Sequence, residues 1–256
     1  MLTAFLVAAL VAAACALTAW RRSREASELS RRLETSLAEL ESLQQAFVRF
    51  APHEVVERII AGGVSAEAET KELTILFADL KNFTPMAETL EPTRLVVLLN
   101  GYFERMDTAI ASHRGHLAKF IGDGLLALFG ALEANPWQTN DALHAALAMR
   151  AALEEYNAEL GAKGLPTLAF GIGIHRGTVV SGILGTSSFR EYGVIGRAVN
   201  LASRVEHLTR VHGADILVTD EVRSGCDPRF RLRELPPAEL KGIHAPVTTY
   251  ALESFE

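Results

Sequence analysis

Cysteine is nearly absent: Cys15 and Cys226 are the only two in 256 residues. That excludes a disulfide framework and a cysteine-rich zinc site, and it points to a reducing compartment and a fold held by an apolar core. A basic stripe is missing as well. Lys+Arg total 25 against Asp+Glu 31, a net charge of −6, so nucleic acid is not an expected partner. Hydrophobic residues at 49% and charged residues at 22% exclude wholesale disorder. Lys163 and the glycines from Gly171 to Gly177 do not form a Gly-x-x-x-x-Gly-Lys phosphate loop. His113 and His116 have no further Cys or His to complete a metal site, and are expected as surface residues flanking a turn at Gly115.

Charge is also lacking in one continuous stretch. Met1 to Trp20 carries no charged side chain, and Arg21, Arg22, Arg24, Arg31 and Arg32 follow it. About 20 apolar residues suffice for one bilayer crossing. The arginine cluster after the run predicts a signal-anchor helix with everything beyond Arg21 in the cytoplasm. A buried core helix is the alternative. The expected location is the inner or plasma membrane, single-pass, reached through residues 1–20.

Residues 21–61 hold seven basic and seven acidic side chains, and neither proline nor glycine interrupts Arg21 to Ala51. Alternating steps of four and three from Leu29 reach Leu33, Ser36, Leu40, Leu43, Phe47 and Phe50, a heptad seam broken only at Ser36. A parallel dimeric coiled coil is expected, with a single amphipathic helix as the alternative. Beyond Pro52 a short helix, His53 to Ile60, runs to Gly62-Gly63, and residues 62–70 read as a linker.

The period changes at Lys71. Leu73 to Ala78 reads as a strand ending at Asp79. Pro92 to Ser112 reads as an amphipathic helix with Leu95, Leu98, Leu99, Tyr102, Phe103, Met106 and Ile110 on one face. His116 to Gly130 reads as a hairpin turning at Asp123-Gly124. A helix over Asn140 to Leu160 follows, then strand-like runs Leu168–Ile174 and Gly177–Gly185. The last elements are a helix over Arg197–Val211, a strand Ile216–Thr219 and a closing strand Thr248–Leu252. Residues 71–256 are therefore expected to be an α+β domain with a mainly antiparallel sheet.

Asp79 ends a buried strand beside a helix start, where free backbone N–H groups suit a metal bound to phosphate. Asp123 lies at a hairpin tip between Gly122 and Gly124. Each aspartate alone reads as a turn-former or cap. Together at one end of a sheet, two unpaired carboxylates call for a divalent cation. Asn200 and Arg204, four apart on one helix face, can address a sugar and a phosphate, or form a solvated face. Lys241, before Gly242, has no feature of its own.

The strings FADLKNFT (Phe77 to Thr84), KFIGDG (Lys119 to Gly124) and VNLASR (Val199 to Arg204), in that order, resemble the class III nucleotide cyclases. The resemblance covers about Lys71 to Leu252, and Phe47 to Ile60 resembles the helical transducer that precedes such domains. It implies a ferredoxin-like domain acting as a head-to-tail homodimer that converts ATP to cyclic AMP and pyrophosphate. Asp79, Asp123 and the carbonyl of Leu80 would hold two Mg²⁺ or Mn²⁺ ions. Asn200 would orient the ribose, Arg204 would neutralise the reacting phosphorus, and Lys241 would contact the terminal phosphates, all three from the partner subunit. Phe83 and Thr84 would add substrate contacts. Lys119 stands where adenylate cyclases of the family carry lysine and guanylate cyclases glutamate. The second base-reading position falls at Gly193, which has no side chain to accept from the adenine amino group. Either a backbone carbonyl takes that role or base selectivity is relaxed. Arg197 stands where the family commonly has an acid.

The resemblance thus implies a membrane-anchored adenylate cyclase. A guanylate or relaxed-specificity cyclase, a catalytically weak nucleotide-binding module, and a membrane-tethered dimerisation protein are the alternatives.

Overall fold

The computed structural model describes residues 31–40, 68–185, 190–240 and 246–256, together with Trp20, Arg22, Arg24 and Glu28. The chain divides into two units, Met1–Gly62 and Gly63–Glu256. In the first, residues 31–40 are helical, with Leu33, Leu37 and Leu40 exposed, and the Arg24 guanidinium lies 4.3 Å from the centre of the Trp20 ring. Among the described residues no helix is long and apolar enough to cross a membrane. Most of the expected membrane span and coiled coil, the transducer helix and nearly all of the linker lie outside the described residues.

The second unit begins with β1 (Glu69–Leu80), which therefore starts inside the stretch read as linker. Its apolar run is buried on both faces, as a central strand requires. Leu76, Ala78 and Leu80 belong to one core, while Leu73 and Ile75 belong to another on the opposite face. The first core is filled by α2 (Pro92–Ala111) and α3 (Gln138–Ala162), through Leu98, Tyr102, Met106 and Met149. Pro92 opens α2, and the Glu91 carboxylate caps it by accepting from the backbone N–H groups of Thr93 and Arg94, each at 3.1 Å. The short α1 (Phe83–Thr89) precedes it.

On the other side β1 pairs antiparallel with β3 (Gly124–Phe129) and β4 (Phe170–Gly185), and β3 pairs with β2 (Gly115–Ile121). The two runs read as separate strands are thus one strand, β4, passing straight through Gly177. It turns back as β5 (Arg190–Ile195), then α4 (Arg197–His212) leads to β6 (Ile216–Thr219). After α5 (Asp220–Gly225) come β7 (Phe230–Glu234) and β8 (Thr249–Phe255). The strand order is β2-β3-β1-β4-β6-β8-β7, with β5 paired to β4.

The sheet is mixed rather than mainly antiparallel, because β4 and β6 run parallel. The physical reason is the crossover through α4, which returns the chain to the sheet in its starting direction. His116 also differs from expectation: it is part of β2 and buried, not a surface residue.

Glycines let α4 lie close on β4. A Cβ at Gly173 would fall 2.1 Å from the backbone N of Glu206, and one at Gly177 would fall 2.9 Å from Ala198 Cβ. Both are inside any normal contact, so the missing side chains set the helix–sheet distance.

Candidate active site

Two polar segments meet where β1 ends. Alternation along the strand puts Asp79 on the same face as Leu73 and Ile75, toward α4. The β2–β3 turn is made by Gly122, at φ 62°, and Asp123, one residue earlier than the pair read from sequence. Gly124 is pressed on Asp79: a Cβ there would sit 2.8 Å from the Ala78 carbonyl oxygen and 3.0 Å from Asp79 Oδ1. A side chain at 124 would force the hairpin tip away from β1, so glycine is what brings Asp123 beside Asp79. Burial pushes the Asp123 carboxyl above its ordinary value, and the charge of Asp79 and a hydrogen bond to it push the same way.

A cation answers this negative pair. Arg210, on α4, donates from Nη2 to Asp79 Oδ2 at 2.7 Å and to the Leu80 carbonyl at 3.2 Å. Its Nη1 donates to Glu206 Oε1 at 2.6 Å. Glu206 is only 2% exposed, and its burial raises its carboxyl, an effect that Arg210 and His207 oppose. Lys81 turns away and donates from Nζ to the Ala214 carbonyl at 2.8 Å; its ammonium is pushed down by burial. The Tyr102 hydroxyl is buried without a hydrogen-bond partner among the described residues. Burial first, then the charges of Asp79, Asp123 and Glu206, drive it far above the ordinary tyrosine range, so it stays protonated.

These groups fit a divalent cation. Among the described residues no group of three or more His, Cys, Asp or Glu side chains is placed to hold a metal. The donors on offer are two carboxylates and the Leu80 carbonyl. All are oxygens, the set that suits Mg²⁺ or Mn²⁺ rather than softer metals. The guanidinium drawn onto Asp79 and Leu80 shows that these oxygens already converge on positive charge.

The other expected residues are distributed differently. Asn200 is exposed and Arg204 half-buried on α4, whose buried residues are Ala198, Ala202, Val205, Glu206, Leu208 and Thr209. By helical periodicity Asn200 and Arg204 face away from that seam. Asn200 lies about 15 Å along the axis from Arg210 at 1.5 Å per residue. Within one chain they are not brought to Asp79 and Asp123. Lys119 is exposed on β2. Gly193 is buried on β5 opposite Gly182, and a Cβ there would lie 2.9 Å from Leu184 Cδ1. Phe83 packs against the larger core, and Thr84 is exposed in α1. Lys241 lies outside the described residues. Sequence reasoning missed Arg210, Glu206 and Tyr102 as site groups. The Glu206–Arg210 spacing of one helical turn was the available signal.

A carboxylate pair at a strand end, backed by an arginine anchored on a buried glutamate and fed by a hairpin turn, defines a cation- and phosphate-handling site on a mixed α/β sheet. The chain belongs to the adenylate and guanylate cyclase catalytic domain family, whose model matches residues 65–254. It is 37% identical over 239 residues to an adenylate cyclase of Anabaena cylindrica, covering 89% of this chain and 47% of that protein. The chain thus spans about half the length of that relative. Among solved structures, the guanylyl cyclase Cya2 superposes with a TM-score of 0.70 at 32% identity, over 74% of this chain and 95% of that one. The adenylyl cyclase CyaB from P. aeruginosa gives a TM-score of 0.70 at 30% identity, over 74% and 97%. An adenylyl and a guanylyl cyclase match the fold equally well, so the fold does not choose the base.

Proposed function

We propose that the chain is an adenylate cyclase that converts ATP to 3′,5′-cyclic AMP and pyrophosphate. The observation that carries this reading is the meeting of Asp79, Asp123 and the Leu80 carbonyl at one end of the sheet. These oxygens would hold two Mg²⁺ or Mn²⁺ ions, which when bound neutralise phosphate charge and acidify the ribose 3′-hydroxyl. In the reaction the 3′-oxygen bonds to the α-phosphorus, the bond to the β-phosphate oxygen breaks, and pyrophosphate leaves as the hydroxyl proton passes to solvent.

The chain's own residues then position and stabilise. Asn200 of the partner subunit orients the ribose, and Arg204 of the partner subunit takes up charge on the α-phosphate. Their supply by the partner is supported by their place on α4 away from its buried seam, with Asn200 about 15 Å along the helix from Arg210. Lys119 donates to adenine N1, Lys241 contacts the terminal phosphates, and Phe83 and Thr84 line the entry. Gly193 favours a second reading, relaxed choice between ATP and GTP, because no side chain there can test the exocyclic group. The apolar run Met1–Trp20, its following arginines and the heptads beyond support a membrane-tethered dimer with the catalytic domain in the cytoplasm.

The test is product formation by purified full-length protein with Mn²⁺ and either ATP or GTP, beside Asp79→Ala. Cyclic AMP from ATP, lost in that variant, is the expected result. No cyclic product from a folded, dimeric sample overturns the reading in favour of a binding module.

A further inference from the structure

Arg210 has no part in the chemistry just described, yet its guanidinium is in direct contact with Asp79. Its Nη2 donates at 2.7 Å to Asp79 Oδ2 and at 3.2 Å to the Leu80 carbonyl. The guanidinium and a divalent cation therefore draw on the same two oxygens.

The two ends of this contact differ in firmness. Glu206 is 2% exposed and lies under glycines of β4, where a Cβ at Gly171 would come within 2.7 Å of Glu206 Oε1. If Arg210 left Glu206, a buried carboxylate would keep only the exposed His207, whose Nδ1 lies 3.0 Å from Glu206 Oε2, which is destabilising. At the other end, the Arg210 and Asp79 side chains are 37% and 33% exposed. Contacts there exchange with water and ions at modest cost. Arg210 is thus anchored on Glu206 and exchangeable on Asp79. Lys81 does not compete for the place, since its Nζ is committed to the Ala214 carbonyl.

We propose that Arg210 is a resident counter-ion of the metal centre: it neutralises Asp79 in the nucleotide-free chain, excludes a bare divalent cation, and yields Asp79 when a triphosphate accepts its freed N–H. This rests on the reading of Asp79, Leu80 and Asp123 as metal donors. A cation arriving alone must break the Arg210–Asp79 pair and leave Nη2 with neither of its acceptors. A cation arriving on a nucleotide brings phosphate oxygens, and guanidinium–phosphate hydrogen bonds replace those lost. Cation and nucleotide then enter as a pair, and free Mg²⁺ or Mn²⁺ is disfavoured.

The experiment titrates Mn²⁺ alone into the full-length protein by calorimetry, for wild type, Arg210→Lys, Arg210→Gln and the double variant Glu206→Gln/Arg210→Gln. It is repeated with 3′-deoxy-ATP, which cannot cyclise. The double variant removes the buried charge together with its partner, so it stays informative where Arg210→Gln fails to fold. Expected is an increase in nucleotide-free Mn²⁺ affinity on the order of tenfold in both Gln variants, with Lys intermediate, since a charge-assisted hydrogen bond no longer competes. Binding of Mn²⁺ with 3′-deoxy-ATP should weaken in the same proteins. Folded variants with unchanged or weaker affinity for bare Mn²⁺ overturn the proposal and leave the metal centre standing. Absence of Mn²⁺ binding in every form, even with 3′-deoxy-ATP, removes the metal centre and this inference with it.

Discussion

Gly173→Ala tests how the site is built without changing any side chain in it. The added Cβ would lie 2.1 Å from the backbone N of Glu206, 2.6 Å from the Ala202 carbonyl oxygen and 2.7 Å from Glu206 Cα. Comfortable contact is about 3.5–4.0 Å, and all three obstacles are backbone, so no side-chain rotation relieves the clash. The helix α4 must retreat from β4 by roughly an ångström or more. The Arg210–Asp79 hydrogen bond, 2.7 Å long, would stretch past its useful range, and Asn200 and Arg204 would be carried along on the same helix. Overpacking of this kind costs about 1–3 kcal/mol, and a misplacement near 1 Å can lower turnover by about 100-fold. Urea unfolding followed by circular dichroism reads the first effect, and cyclic AMP formation at saturating Mn²⁺–ATP reads the second. Gly161→Ala is the control: nothing lies within 4 Å of a Cβ there, on the exposed side of α3. It should leave turnover alone and add about 0.5–1 kcal/mol of helix stability. Wild-type stability and turnover in Gly173→Ala would refute the close seating of α4 on β4.

Three further outcomes are expected. His175 is buried, its Nδ1 is 2.9 Å from Thr219 Oγ1, and burial lowers its imidazole below the ordinary 6.5 despite Glu221 nearby. The unfolded chain therefore takes up a proton that the folded chain resists, so stability is full above about pH 6.5 and falls as pH drops below it; His175→Gln should flatten that slope in thermal melts. Arg150 donates to both Asp215 oxygens, at 2.6 and 3.0 Å, and to the carbonyls of Leu252 at 2.6 Å and Glu253 at 2.8 Å. Arg150→Met should cost about 1–3 kcal/mol in urea unfolding, with turnover per folded molecule little changed. Lys119→Glu should move the ratio of kcat/KM for ATP over GTP by on the order of tenfold toward GTP. Loss of both activities at an unchanged ratio would remove the base-reading role of Lys119.

The parts legible in the sequence were those fixed by local pattern. The apolar run of β1, the 3.6-residue period of α2 and the Gly-Asp-Gly hairpin each state their conformation within a few residues, and the two aspartates are carried by those elements. Strands β5 and β7 escaped because their local signal is poor. FRLRE alternates two apolar residues with two arginines before a glutamate, and REYGVI contains a glycine and two charges. Pairing with β8 and β4 is what makes them strands. The parallel contact of β4 with β6 is equally nonlocal, since a crossover's return direction is set by packing of α4. Burial of His116 follows from its place on the hairpin against β3. Arg210 escaped notice as a site group because its partner Asp79 is 131 positions away in the chain.

The glycine track of β4 also makes the two flanks of α4 mechanically inseparable. One flank carries Glu206 and Arg210 to this chain's own aspartates, and the other presents Asn200 and Arg204 outward. A rigid rod seated on a smooth strand transmits a push at one flank to the other with little loss. A tilt set by whatever adjoins the catalytic domain would alter the two half-sites together. Substitutions along this helix should accordingly fall into linked groups, in which a defect on one side is relieved by a compensating shift on the other.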